Sequence, residues 1–323
     1  MGVAMQANSC GHEWVVELTC QEDESHLDSA LIDVLGDLLS VNNFAIYINK
    51  HVTLQAPPIL INTHSNLTYL EPSQAQLILN KATPSKTRVI HTTDDVTTYI
   101  PVNHSDTILG VLIIKTKQLI TDRISALAMY ILNVYANQLW ILHKSRLDPL
   151  TGLLNRQTFD KKVMEIVTGN GFLLPREKAD TKRCWYLAIV DIDLFKNVND
   201  TFGHVVGDGV IAQVAKLIKN NFRIEDYAFR YGGEEFAIVF QSQTNTDALN
   251  ALSRLRQRVA SHDFEHIQQL TISIGFLELQ SADTVSSIVN QADIALYHSK
   301  KTGRNKVTSC HELTLSKEVR ISQ

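Results

Sequence analysis

The chain has 323 residues, 20% of them charged, and a net charge of −4. That length predicts two domains, each with its own core, and the mild acidity argues against a general binder of nucleic acid or anionic membranes. Four scattered cysteines, Cys10, Cys20, Cys184 and Cys310, form no CxxC pair, which fits a reducing compartment rather than a disulfide framework, and Cys10 beside His12 lacks the second ligand pair that a zinc site needs.

The N-terminus, MGVAMQANSCGHEW, has no basic region followed by an apolar core, and Gln6 stands where a myristoylation signal wants Ser or Thr. A cytoplasmic location is expected. Helical spacing covers 25–39, and strand-like stretches follow at 44–48, 89–91, 97–102 and 108–115. Residues 124–142 are long and apolar enough to approach a membrane span. Asn133, Asn137 and Gln138 interrupt them as a polar stripe, which predicts an amphipathic, partly buried helix and no membrane span. Its apolar residues Ile124, Leu127, Ile131, Val134, Leu139 and Leu142 keep a rough heptad spacing. The first half is expected to pack on its own domain and the second half to pair with another copy of the chain. Residues 1–143 thus read as an α+β domain that ends in a long connecting helix.

A second block, 144–308, reads as helix 155–167, strand 185–191, a polar turn, helix 208–220, hairpin 227–240, helix 247–261, strand 270–277 and helix 285–301. The order βα-ββ-αβ predicts a central antiparallel sheet with helices on one or both faces. Residues 169–183 are charged and hold Gly and Pro, as a surface loop does, and the tail 309–323 is expected to be poorly ordered.

Chemistry concentrates in this block. The strand YLAIVDID is apolar until Asp191 and Asp193, whose spacing puts both on one face if the strand continues. In RYGGEEF, Gly232 and Gly233 can take the positive φ of a tight turn, so that Glu234 and Glu235 leave it beside the paired strand. Four carboxylates then share one rim of the sheet, and such crowding needs a cation. Oxygen ligands without His or Cys favour Mg²⁺ or Mn²⁺ over zinc, in the arrangement used for nucleotide triphosphates. The turn LFKNVNDTFGHVVGDG carries Lys196 and two side chains, Asn199 and Asp208, able to read a guanine edge, while no P-loop is present. Taken singly, each feature has an ordinary explanation: a Gly-Gly hairpin is most often only a turn, and paired glutamates are usually solvated. Their joint order is what carries the reading.

The motifs DPLTGLLNR (148–156), DIDLFKNVNDTFGHVVGD (191–208), RYGGEEF (230–236), SIG (273–275) and ALYHSKKTGRN (295–305) closely resemble the GGDEF family of diguanylate cyclases. The resemblance spans the second block and implies a fold similar to the palm of polymerases. It implies condensation of two GTP into cyclic di-GMP and two pyrophosphates by a homodimer, with two metals per half-site. By position, Asp191, Glu234 and the Ile192 carbonyl are the implied metal ligands. Glu234 or Glu235 would orient or deprotonate the attacking hydroxyl, with Glu234 expected to be the indispensable one. Asn199 and Asp208 would bind guanine, and Lys196, Lys300 and Arg304 the phosphates. Arg223 and Asp226 match the family's RxxD product-inhibition site. Glu234 departs from the Asp of the family name yet keeps the carboxylate.

The first block resembles a GAF domain through LGVLIIKT and VYANQLWIL; GAF folds bind such varied ligands that the resemblance names no signal. His51, His64, His91 and His104 are read as ordinary histidines rather than haem or metal ligands. Two competing readings remain: a silent effector that only binds GTP or cyclic di-GMP, disfavoured by the intact acids, and a cyclase of relaxed base choice, disfavoured by Asp208.

Overall fold

Alternating burial along the strands builds two separate sheets, one in each of two compact units, residues 1–145 and 146–323. The structure is a computed structural model that describes residues 2–39, 43–49, 58–64, 72–80, 87–91, 95–168, 183–223, 225–265, 267–280 and 284–313. The expectations for His51, for 169–182 and for the tail beyond residue 313 lie outside the described residues, as do the side chains of His64 and His91.

The first unit runs α1 (Gly2–Thr19), α2 (Glu24–Leu39), β1 (Phe44–Ile48), β2 (Ile59–His64), α3 (Pro72–Asn80), β3 (Arg88–His91), β4 (Val96–His104), β5 (Thr107–Thr116) and α4 (Asp122–Ser145). Its sheet has the order β2-β1-β5-β4-β3, with every neighbouring pair antiparallel. Period-two alternation sorts the side chains: Phe44, Ile46, Ile48, Leu112 and Ile114 join the core with α2 and α4, whereas Ala45, Tyr47, Val111 and Ile113 face α3. Between α4 and α2, the buried Tyr135 hydroxyl donates to Asp28 Oδ1 at 2.7 Å. Burial, and next the charge of Asp28, push this phenol well above its ordinary pKa, so it stays a donor.

Helix α4 by length and composition alone could cross a bilayer, yet seven of its residues, from Ala128 to Leu142, are buried in its own unit. The second half, expected to pair with another copy of the chain, also packs on its own unit. Leu139 and Leu142 lie in the unit's core, because the hairpin strands and α2 offer enough apolar surface to bury the helix along its whole length. The large apolar side chains that α4 does expose are Tyr130 and Ile141.

The second unit runs α5 (Arg156–Val167), β6 (Cys184–Ile192), α6 (Phe195–Phe202), α7 (His204–Asn221), β7 (Tyr227–Arg230), β8 (Glu235–Ser242), α8 (Asn245–Ala260), β9 (Ile272–Glu278), α9 (Val285–Lys301) and β10 (Val307–Ser309). Side-chain oxygens of Asn155, Thr244 and Thr284 cap α5, α8 and α9. The sheet order is β10-β9-β6-β8-β7, antiparallel except for the short β10 beside β9. Helices cover both faces. Tyr186, Ala188, Val190 and Ile192 of the central strand meet α7 and α8, while Leu187 and Ile189 meet α5 and α9. At the outer edge, Leu154 N–H donates to the Ala228 carbonyl at 3.1 Å and Arg230 N–H to the Leu154 carbonyl at 2.8 Å.

Helix α9 presses on β9 at Gly275. A Cβ there would lie 2.1 Å from Leu296 N and 2.2 Å from the Ala292 carbonyl oxygen, both backbone atoms that cannot turn aside. Gly275→Ala is therefore expected to lower the unit's stability by about 3 kcal/mol, read from urea unfolding. A loss below about 1 kcal/mol would mean that α9 shifts outward without cost.

Candidate active site

The site forms where the central strand runs out of apolar residues. Asp191, in register with Glu235 on β8 and Ser273 on β9, is only 6% exposed. Its odd position shares the α9 face with Leu187 and Ile189, so the last turn of α9 can deliver a cation to it. Lys300 Nζ lies 2.7 Å from Asp191 Oδ2. Burial pushes the Asp191 carboxyl up, Lys300 pulls it back, and the charge of Glu235 adds to the rise; the balance leaves it above the ordinary carboxylate range. Glu234 is half-buried, and burial, followed by the charge of Asp191, raises its carboxyl as well, against the pull of Lys300. Its own carbonyl accepts the Ile192 N–H at 3.4 Å, which stitches the hairpin tip to the end of β6.

The expected rim of four carboxylates is corrected to three. β6 ends at Ile192, yet the Asp193 amide still donates to the Thr271 carbonyl at 2.9 Å, and the chain turns only at Leu194, left-handed at φ +57°. Asp193 instead accepts hydrogen bonds from Thr271, Ser273 and the Asn305 amide. Among the described residues no group of three or more His, Cys, Asp or Glu side chains is arranged to hold a metal ion. The donors that the rim does offer, Asp191 and Glu234 with the Ile192 carbonyl, are hard oxygens with net negative charge. Two partly desolvated acids that share one lysine fit a hard divalent cation and no soft one.

The hairpin is also built differently from the sequence expectation. Neither Gly232 nor Gly233 has a positive φ. The turn is closed by the Tyr231 and Gly232 amides, which both donate to the Glu235 carbonyl at 2.8 and 3.1 Å. A Cβ on Gly232 would stand 2.6 Å from Glu235 Oε2, the movable end of a side chain, and one on Gly233 would meet nothing within 4 Å.

Sequence reasoning missed what anchors this tip. Arg230 donates from Nε and Nη2 to the Gly233 carbonyl at 3.3 and 3.0 Å, and from Nη1 to Asp148 Oδ2 at 3.1 Å. Eighty-two positions separate Arg230 from Asp148, so no local spacing could have signalled the pair. The Thr151 amide and hydroxyl also donate to Asp148, at 2.9 and 2.7 Å.

The remaining predicted residues fall in three places. Lys196 and Asn199 lie on α6, and Asp208 on the first turns of α7, past an elbow at Gly203 with φ +82°. The stretch expected to be a turn contains this helix because Phe195 and Val198 supply a buried face. Asn199 crowds Gly207, where a Cβ would meet its Oδ1 at 2.0 Å. Arg304 follows α9, exposed and left-handed at φ +59°. Arg223 and Asp226 are apart from the rim. Asp226 accepts the Arg223 amide at 2.9 Å and the Gln241 amide at 3.3 Å, which leaves the Arg223 side chain exposed. Burial raises the Asp226 carboxyl despite these bonds.

A helix-flanked antiparallel sheet with acids at one rim defines a palm-like α+β domain. Residues 145–306 match the family model described as "Diguanylate cyclase, GGDEF domain", and the chain belongs to that family. It is 37% identical over 198 residues to diguanylate cyclase A of Treponema denticola, covering 58% of this chain and 50% of that protein. It is 34% identical over 172 residues to diguanylate cyclase DosC of Escherichia coli, covering 51% of this chain and 35% of that protein. The chain therefore spans half or less of the length of these relatives. Among solved structures, the coiled coil and GGDEF domain of DgcB from Caulobacter crescentus, in complex with c-di-GMP, aligns with a TM-score of 0.50 and 30% identity, over 58% of this chain and 97% of that one.

Arg230 yields a test. Burial works against the charge of Asp148, but the Thr151 bonds and the Arg230 guanidinium outweigh it and hold the carboxyl below its ordinary range. Arg230→Ala should cost the second unit roughly 2 kcal/mol at neutral pH. Because the folded-state pKa of Asp148 is depressed, the pair's contribution is present above the unfolded value and is lost as pH falls through the folded one. Urea unfolding should show wild type and variant converging only beneath the ordinary carboxylate range. A gap that persists there would assign the loss to the Gly233 carbonyl bonds instead.

Proposed function

We propose that this chain is a diguanylate cyclase that condenses two GTP into cyclic di-GMP. The observation that carries the proposal is the acid rim of Asp191, Glu234 and Glu235 with Lys300 Nζ on Asp191. The 3′-hydroxyl of each GTP attacks the α-phosphorus of the other, two P–O bonds to pyrophosphate break, and two pyrophosphates leave. Glu234 or Glu235 takes up or orients the hydroxyl proton. Asn199 and Asp208, on either side of the Gly203 elbow, read the guanine. Lys196, Lys300 and Arg304 hold the triphosphate, and Lys300 neutralises Asp191 when no phosphate is there. Asp191, Glu234 and the Ile192 carbonyl would hold Mg²⁺ or Mn²⁺, two ions per half-site, which when bound supply positive charge at the attacked phosphate.

Each half-site holds one GTP, so turnover requires a homodimer. Residues 1–143 act as a GAF-like regulatory domain that takes an unidentified ligand or none, 144–308 form the cyclase domain, and the protein works in the cytoplasm. Arg223 and Asp226 bind cyclic di-GMP as an inhibitor, a reading supported by the exposed Arg223 side chain beside a backbone-tied acid.

Mass spectrometry of products after incubation with Mg²⁺ should find cyclic di-GMP from GTP and no cyclic dinucleotide from ATP. Glu234→Gln should cut turnover roughly a hundredfold or more, as loss of a positioned acid or base does, without changing the oligomeric state. Unimpaired turnover would remove Glu234 from the site. Arg223→Ala should leave initial rates intact and flatten the product-inhibition curve; a curve that superimposes on wild type would place the inhibitory site elsewhere.

A further inference from the structure

Asp193, two residues past Asp191, has the spacing of a second metal ligand, yet both of its oxygens are already engaged. Ser273 Oγ donates to Oδ1 at 2.7 Å, while Thr271 Oγ1 at 2.7 Å and the Asn305 amide at 3.0 Å donate to Oδ2. The side chain is 6% exposed, so it is a buried carboxylate satisfied by three separate donors from β9, from the residue before it and from the loop after α9. On the far side of that loop, Arg256 Nη1 of α8 donates to Asn305 Oδ1 at 2.8 Å and to its carbonyl at 3.3 Å. Asn305 is gripped from two directions.

The grip coincides with an unfavourable backbone. Arg304 and Asn305 are consecutive non-glycine residues in the left-handed region, at φ +59° and +44°. L-residues visit that region as isolated cases, and such conformations persist where surrounding contacts over-determine them. The bond from the Asn305 amide to a buried carboxylate is charge-assisted and of the stronger kind. It holds the chain just past Arg304, whose own amide donates to the Ser299 carbonyl at 3.0 Å.

We propose that Asp193 is a positioning residue for the triphosphate. With Arg256 it locks the Arg304–Asn305 pair in its left-handed form, so that Arg304 joins Lys300 in receiving the β- and γ-phosphates. This rests on the cyclase reading of the site, which assigns those two cations to the phosphates.

The test compares the affinity of the full chain for a non-hydrolysable GTP analogue and for GMP, by calorimetry in Mg²⁺. Wild type should prefer the analogue. Asp193→Ala should lose roughly tenfold in analogue affinity, the worth of one charge-assisted bond, with GMP affinity unchanged. Asp193→Asn keeps one oxygen for Thr271 and Asn305 and turns an amide donor on Ser273, which can accept; it should stay within roughly twofold of wild type. If Asp193→Ala does not fold, Arg256→Ala releases Asn305 from the other side and should show the same selective loss. Equal weakening of analogue and GMP, or no weakening of either, overturns the positioning role while leaving the site intact. A wild type that does not prefer the analogue over GMP overturns the cyclase reading first, and this inference with it.

Discussion

The second unit is organised around the cost of ending a buried central strand in acid. A carboxylate as enclosed as Asp191 costs several kcal/mol unless a partner offsets it, and β6 places a second acid, Asp193, only two residues on. The two are answered by different means. Asp191 receives a full charge from Lys300, whereas Asp193 receives dipoles from two hydroxyls and an amide. The first arrangement is exchangeable, since a lysine head can be replaced by another cation. The second is part of the frame. Depth matters as much as charge: Gly275 lets α9 approach the sheet until backbone touches backbone, and only a helix seated that low brings Lys300 to the strand end.

The hairpin tip follows the same division between frame and exchangeable parts. Its shape comes from the Glu235 carbonyl accepting two amides and from Arg230 spanning Gly233 and Asp148. Glu234 and Glu235 are then presented by a turn held by these bonds. Asp148 stands three residues after the end of α4 in sequence, so the anchor of the tip lies at the very start of the second unit.

Most of this unit was legible because strong periodicity and ordered motifs agree. The strand predicted at 185–191 is β6, and the helix predicted at 285–301 is α9 to the residue, with Thr284 supplying the cap. Failures cluster where tertiary pairing decides. β10 has three residues, two of them Thr and Ser, and is a strand only because β9 accepts it. In the first unit α1, β2 and α3 went unread. Helix α3, PSQAQLILN, buries little beyond Ala75 and Leu79, too few positions to show a period. At the site, residue types were readable and their uses were not. Asp193 has the pattern of a ligand and serves as an acceptor for β9 and the loop after α9, and the double glycine that suggested unusual torsions has no positive φ. Partners such as Arg230 and Asp148 could not be found from spacing at all.

The Leu154 bonds to Ala228 and Arg230 have a bearing on solubility. β7 is an edge strand of its sheet, and an unpaired strand margin is a template on which other chains can add. Leu154 occupies that margin with one donor and one acceptor. The opposite margin is β10, too short to recruit a partner strand. A truncation that begins after residue 154 would strip this cover from β7 while leaving every acid of the rim in place.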